Sequence, residues 1–100
     1  MEPATIPVED LEIEAPKVAY LATKGVTVDD VYEVFWNAPR YAMSPGVLGP
    51  RFAMLGPNRA ARYLLVAIAP MDNVGRWRVI TAYWLRESRG RKNYERLVQP

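Results

Sequence analysis

Between Arg62 and Pro70 the chain runs Tyr63-Leu64-Leu65-Val66-Ala67-Ile68-Ala69 with no charged side chain. A continuous apolar run of this kind is the pattern of a central strand covered on both faces. Whatever else the chain does, it must therefore build a sheet with neighbours on each side of this segment. The flanking sequence supplies two of them. Arg51-Phe52-Ala53-Met54-Leu55 reads as a strand stopped by Gly56-Pro57. After the turn residues Pro70-Met71-Asp72-Asn73-Val74-Gly75, the residues Trp77, Val79, Thr81 and Tyr83 alternate with Arg78, Ile80 and Ala82, giving a further strand. Three strands at such short spacing predict an antiparallel meander.

The first half of the chain has a different period. Leu11-Glu12-Ile13 alternates apolar and acidic residues and suits a short half-buried strand. Pro16 stands where a first helical residue tolerates proline, Lys17 to Lys24 form a short helix, and Gly25 is its stop. Thr27 and Asp30 have capping-box spacing, with Asp in place of the preferred Glu. Val28, Val31, Val34 and Phe35 then recur at helical spacing, predicting a second helix over 28–36 that ends at Asn37-Ala38-Pro39. Residues 40–50, with Pro45, Gly46, Gly49 and Pro50, read as a loop, and 85–97 as a closing helix weakened by Gly90. The expected order is β-α-α-β-β-β-α, a small α+β single domain with helices packed on one face of an antiparallel sheet. Residues 1–10 are expected to be a loose acidic lead-in, and 11–97 the domain.

Composition removes whole classes of chemistry. The 100 residues include no cysteine and no histidine. Disulfide scaffolds, thiolate metal sites, thiol nucleophiles and histidine bases are excluded. No metal and no cofactor is expected. The chain lacks an apolar run long enough to span a bilayer and a secretory leader, so the expectation is a cytoplasmic protein with no membrane partner.

The net charge of +2 hides a division. Residues 1–33 hold eight acids (Glu2, Glu9, Asp10, Glu12, Glu14, Asp29, Asp30 and Glu33) against Lys17 and Lys24. Residues 34–100 hold eleven bases, all but Lys92 of them arginine, against Asp72, Glu87 and Glu95. Arginine offers a planar fork suited to phosphate or carboxylate. Two readings stay open: an anionic partner for the basic half, or an acidic start that folds back and neutralises it.

Four stretches, taken in order, carry a likeness. They are Thr23-Lys24-Gly25-Val26-Thr27 with the helix after it; Arg51-Phe52-Ala53-Met54-Leu55-Gly56; Arg62-Tyr63-Leu64-Leu65-Val66; and Arg78-Val79-Ile80-Thr81-Ala82 with the tail Asn93-Tyr94-Glu95-Arg96. Over about residues 11–96 the chain resembles the BrnT family of bacterial toxins, within the wider RelE/ParE-like superfamily. Lys24 stands where that family carries a histidine, Tyr83 where an arginine follows the last strand, and Ala61 where a glycine precedes the second strand's arginine. The resemblance implies an RNA-cleaving toxin of a type II toxin–antitoxin pair, inhibiting translation and neutralised by a cognate antitoxin protein.

Metal-free RNA cleavage needs a base for the 2′-hydroxyl and cations for the charge that builds on the phosphate. Arg51, Arg62 and Arg78 lie on or beside strands and are expected to converge on one sheet face, with Arg59 approaching from the loop. Without histidine the base candidates are Lys24, Glu87, Tyr83 and Tyr94. The preferred catalytic set is Lys24, Arg62 and Arg78, with Arg51, Arg59, Tyr83, Arg86 and Tyr94 holding substrate. Trp77, Tyr83 and Trp84 either stack unpaired bases or serve as core and cover. Lys24 equally suits a helix C-terminal cation, and Arg51 and Arg78 the solvent side of a half-buried sheet. The competing function is a non-catalytic module on the same fold that grips nucleic acid or an acidic protein, including gyrase-type inhibition. A third is an accessory protein with no toxicity.

Overall fold

In chain order the elements are β1 (Thr5–Pro7), β2 (Asp10–Glu12), α1 (Ala15–Thr23), α2 (Val28–Trp36), β3 (Tyr41–Met43), β4 (Phe52–Pro57), β5 (Tyr63–Pro70) and β6 (Arg76–Trp84). They come from a computed structural model, which describes residues 5–36, 41–43, 45–46, 51–86, 88–89, 92 and 95. The strands form one six-stranded sheet in the order β1-β3-β4-β5-β6-β2. The architecture is a small α+β domain, and its radius of gyration of 12.5 Å is that of a closely packed chain of this length.

The apolar run Tyr63–Ala69 lies at the centre, as its composition demands, between antiparallel β4 and β6. Its alternate residues serve two clusters. Leu64, Val66 and Ile68 join Met54, Trp77, Val79 and Ala82 beneath Leu21, Val31, Val34 and Phe35 of the helices. Leu65 faces the other way and packs with Ala53, Leu55, Tyr63 and Leu85. Near the middle of β6 one residue, Ile80, is extra: Ala67 pairs with Thr81 but Ile68 pairs with Val79. Such a bulge bends the strand locally.

The helix boundaries follow local chemistry. At the end of α1, Val26 N–H donates to Leu21 O (3.0 Å) and Gly25 N–H to Ala22 O (3.0 Å). This is the two-bond Schellman closure, and it requires the left-handed residue that Gly25 supplies at φ 72. Its apolar pair, Leu21 and Val26, is buried in the core. At the start of α2, Thr27 N–H donates to Asp30 Oδ2 (3.0 Å) while Asp30 N–H donates to Thr27 Oγ1 (3.0 Å), so Asp completes the capping box.

Several expectations need correction. Within the expected lead-in, of which residues 1–4 lie outside the described residues, Thr5–Pro7 and Asp10 belong to the sheet: β1 pairs antiparallel with β3, and Val8 is buried. The Pro and Gly content of 40–50 predicts a loop, yet Tyr41–Met43 pairs with β1 on one side and, through Met43, with Ala53 on the other. The sheet is mixed, because β2 runs parallel to β6 with Leu11 beside Trp77. Gly75 permits this join. Its carbonyl accepts from both Glu9 N–H (2.8 Å) and Asp10 N–H (3.1 Å), and its φ of 86 is a conformation that side-chain-bearing residues rarely adopt. Strand β4 passes through Gly56-Pro57, which pair with Leu64 and Tyr63. Among the described residues β3 meets β4 at Ala53 alone, so on that side Pro57 has no β3 partner to bond. Of the expected closing helix, Ser88, Arg89, Lys92 and Glu95 are helical and the rest lies outside the described residues.

Candidate nucleic-acid interface

Two loops and one strand end bring basic and aromatic side chains to the helix-covered side of the sheet. The first loop is the end of α1. Lys24 follows the helix directly and is exposed, with its Nζ 5.1 Å from the centre of the Tyr20 ring. The next carbonyl, that of Gly25, accepts a hydrogen bond from Trp84 Nε1 at 3.1 Å. Trp84, the last residue of β6, in turn carries the Arg62 guanidinium, whose carbon lies 4.0 Å from the ring centre. Trp84 thus touches both Arg62 and the backbone of Gly25, the residue that follows Lys24.

Arg62 owes its position to the β4–β5 turn. Ala61 N–H donates to Asn58 O (3.0 Å), Asn58 N–H to Arg62 O (2.8 Å), and Ala61 takes φ 62. This is a three-residue hairpin loop whose last residue is left-handed, a place that favours glycine. The Asn58 side chain holds the turn together. Its Oδ1 accepts from Ala60 N–H (3.0 Å) and Arg62 N–H (2.9 Å), and its Nδ2 donates to Asp30 Oδ1 (3.2 Å). Beside it Arg59 N–H donates to Glu33 Oε1 (2.6 Å). The acidic start of α2 is therefore fastened to the turn that presents Arg62. Partial burial works against ionisation of Asp30. The Thr27 N–H, the Asn58 amide, the Thr27 hydroxyl and the Arg62 charge outweigh it, and the carboxyl is held below its ordinary pKa.

Tyr20 is a functional candidate that sequence reasoning missed. Lys17 Nζ lies 4.9 Å from its ring centre and Lys24 Nζ 5.1 Å. Thr81 Oγ1 donates to its hydroxyl at 3.4 Å. The Thr81 hydroxyl, a hydrogen bond from Lys24 and the charges of both lysines lower the phenol's pKa from its ordinary value. The signal was present in the spacing, since Lys17, Tyr20 and Lys24 recur three and four apart along one helix face.

The expected convergence of Arg51, Arg62 and Arg78 does not occur. Arg78 pairs with Ala69 at one end of β5, while Arg62 precedes the other end. Seven residues of strand separate the two positions, about 23 Å at the usual rise. They also face opposite ways: Trp77 and Val79, on either side of Arg78, point into the helix-side core, whereas Arg62 stacks on the helix-side Trp84. Arg51 is exposed just before Phe52, whose partner is Ile68, and so belongs with Arg78 at the far end. Tyr83 pairs with Leu65 and lies on the sheet face opposite Trp84. Arg59 and Arg86 are exposed, the first in the turn with Arg62 and the second two residues beyond Trp84. Tyr94 and Glu87 lie outside the described residues. Trp77 is buried against Phe52, which removes it as a stacking surface.

The acidic half also folds back on the basic half along β6, here through ion pairs. Asp10 and Glu12 of β2 lie alongside β6, 3.4 and 3.9 Å from Arg76. Arg76 Nε is buried without a hydrogen-bond partner, so the contact is one of charge. Among the described residues these are the ion pairs, and they do not involve Lys17, Lys24 or Arg62. No known protein family, curated protein or solved structure matches the chain. Among the described residues no helix is long and apolar enough to cross a membrane.

Proposed function

We propose that this chain is a non-catalytic binding module with a RelE/ParE-like arrangement, one that grips the phosphate backbone of RNA through Lys24, Arg62 and their aromatic supports. The observation that carries the reading is the Arg62 guanidinium 4.0 Å from the centre of the Trp84 ring, whose N–H binds the carbonyl of Gly25, the residue after Lys24; among the described residues no carboxylate lies within ion-pair distance of Arg62. Stacking uses the face of the guanidinium and leaves its edge donors for phosphate oxygens. Holding the group over an indole also removes part of the ordering cost of binding. Lys17 extends the cationic surface along α1.

The test is equilibrium binding of single-stranded RNA by the full chain at increasing salt. Log K is expected to fall linearly with log salt, and Arg62→Ala or Lys24→Ala each to reduce the slope by about 1. Arg78→Ala, at the distant end of β6, is expected to leave binding nearly unchanged. Binding that ignores salt, or that survives Arg62→Ala intact, overturns the reading.

A second reading, the ribonuclease toxin with a cognate antitoxin, is favoured by the sequence β2-α1-α2-β4-β5-β6 followed by helical residues. It would have to run on Lys24 and Arg62 without Arg78. Cleavage of naked RNA by the purified protein, lost in Arg62→Ala, supports it; RNA bound but never cut leaves the binding module.

A further inference from the structure

We propose that Tyr20 is a nucleophilic phosphoryl-acceptor site, a phenol set between two lysines to take a phosphoryl group from an activated donor such as a nucleoside triphosphate. The grounds are a cluster that shares Lys17 and Lys24 with the RNA-binding reading but adds Tyr20 and Thr81, which that reading does not require. Lys17 Nζ and Lys24 Nζ approach the Tyr20 ring at 4.9 and 5.1 Å. Thr81 Oγ1 reaches the phenolic oxygen at 3.4 Å. Tyr20 is 41% exposed, open to a donor from solvent. Positive charge beside a phenol favours the phenolate, which is the attacking form. The direction of the Tyr20 pKa agrees with that arrangement.

In the transfer, Tyr20 Oη forms a bond to phosphorus while the bond from phosphorus to the leaving group breaks. The leaving group departs with the electron pair, and the phenolic proton goes to bulk water. The two ammonium groups serve twice. They neutralise the donor's phosphate oxygens on approach, and they flank the dianionic product, which adds strong acceptor oxygens between two cations. A phosphorylated Tyr20 would also cancel the positive charge of Lys17 and Lys24.

The molecule contains its own control. Tyr83 is exposed to the same 41% but pairs across the sheet with Leu65, on the face away from α1. The experiment treats the full chain with a small alkyl fluorophosphonate, which transfers its phosphonyl group with loss of fluoride. Peptide mass mapping follows the adducts with time. Tyr20 is expected to label at least tenfold faster than Tyr83, and a Lys17→Met, Lys24→Met double variant with unchanged circular dichroism to slow Tyr20 to the Tyr83 rate. Equal rates at the two tyrosines in the parent chain, or a Tyr20 rate indifferent to removal of both lysines, overturns the proposal. Neither outcome depends on RNA binding.

Discussion

The Arg62 guanidinium lies over the indole of Trp84, its carbon 4.0 Å from the ring centre, while the same indole donates its N–H to the Gly25 carbonyl. One side chain thus links the β4–β5 turn to the end of α1. Trp84→Phe keeps a ring for Arg62 and removes the bond to Gly25. The expected loss is about 1 kcal/mol of unfolding free energy, the usual worth of one such bond. Trp84→Ala also deletes the ring under Arg62, and RNA affinity is expected to fall with stability. Urea denaturation and binding isotherms on the two variants separate the contributions.

Ala61 holds φ 62 at the end of the β4–β5 turn. A side chain in this region is disfavoured by roughly 1–2 kcal/mol, and glycine avoids that at some entropic expense in the unfolded chain. Ala61→Gly is therefore expected to stabilise the protein by about 0.5–1 kcal/mol. Ala61→Val, β-branched in the same conformation, is expected to destabilise it. Thermal midpoints of the three proteins check the order Gly, Ala, Val; any other order removes the strain argument.

The Thr27–Asp30 box predicts a coupled pair. Thr27→Ala and Asp30→Ala are each expected to lower stability by about 1 kcal/mol, in the range of lost N-caps. Asp30→Ala has the larger effect because Asp30 also receives Asn58 Nδ2. Each single change removes one of the two reciprocal bonds and leaves the donor and acceptor of the other, so any departure of the double variant from the sum measures how far the two bonds support each other. A four-member denaturation cycle measures that coupling, and single variants as stable as the parent would contradict the hydrogen-bond assignment.

Acid sensitivity follows from the same carboxylate. The folded-state pKa of Asp30 is lowered from its ordinary value, 3.8. Its ionised form is preferentially stabilised by folding, so its contribution is complete above the ordinary value and is lost as pH falls through the lowered one. The parent chain is expected to lose stability below about pH 4 more steeply than Asp30→Asn. Chemical denaturation between pH 2 and pH 6 gives the comparison; parallel curves would mean that Asp30 is not ionically stabilised in the fold.

What the sequence disclosed depended on where each signal lies. Tyr63–Ala69, the Gly25 stop, the Thr27–Asp30 box and the Val28–Trp36 helix rest on neighbouring residues, and each is found where the local pattern puts it. Strands β1 and β3 have no such pattern: three residues each, one ending in proline, they exist because they pair with each other. The parallel seating of β2 was hidden for the same reason, since it depends on Gly75 more than sixty residues away. At the candidate site, Trp84, which the sequence left between core and stacking roles, touches both Arg62 and the carbonyl of Gly25, the residue after Lys24. The separation of Arg78 from Arg62 is not legible in the sequence, because alternation along β6 fixes only which face a residue takes, not how far along the sheet it lies from another strand's arginine.

The Gly75 carbonyl, accepting from Glu9 and Asp10, makes the beginning of the described chain wait for its last strand. Val8 and Leu11 have nowhere dry to go until Trp77 and Val79 exist beside them. Contacts this distant in sequence slow folding and make it an all-or-nothing event. During synthesis, protease resistance is therefore expected to arrive in one step, once residue 84 has left the ribosome, rather than growing helix by helix.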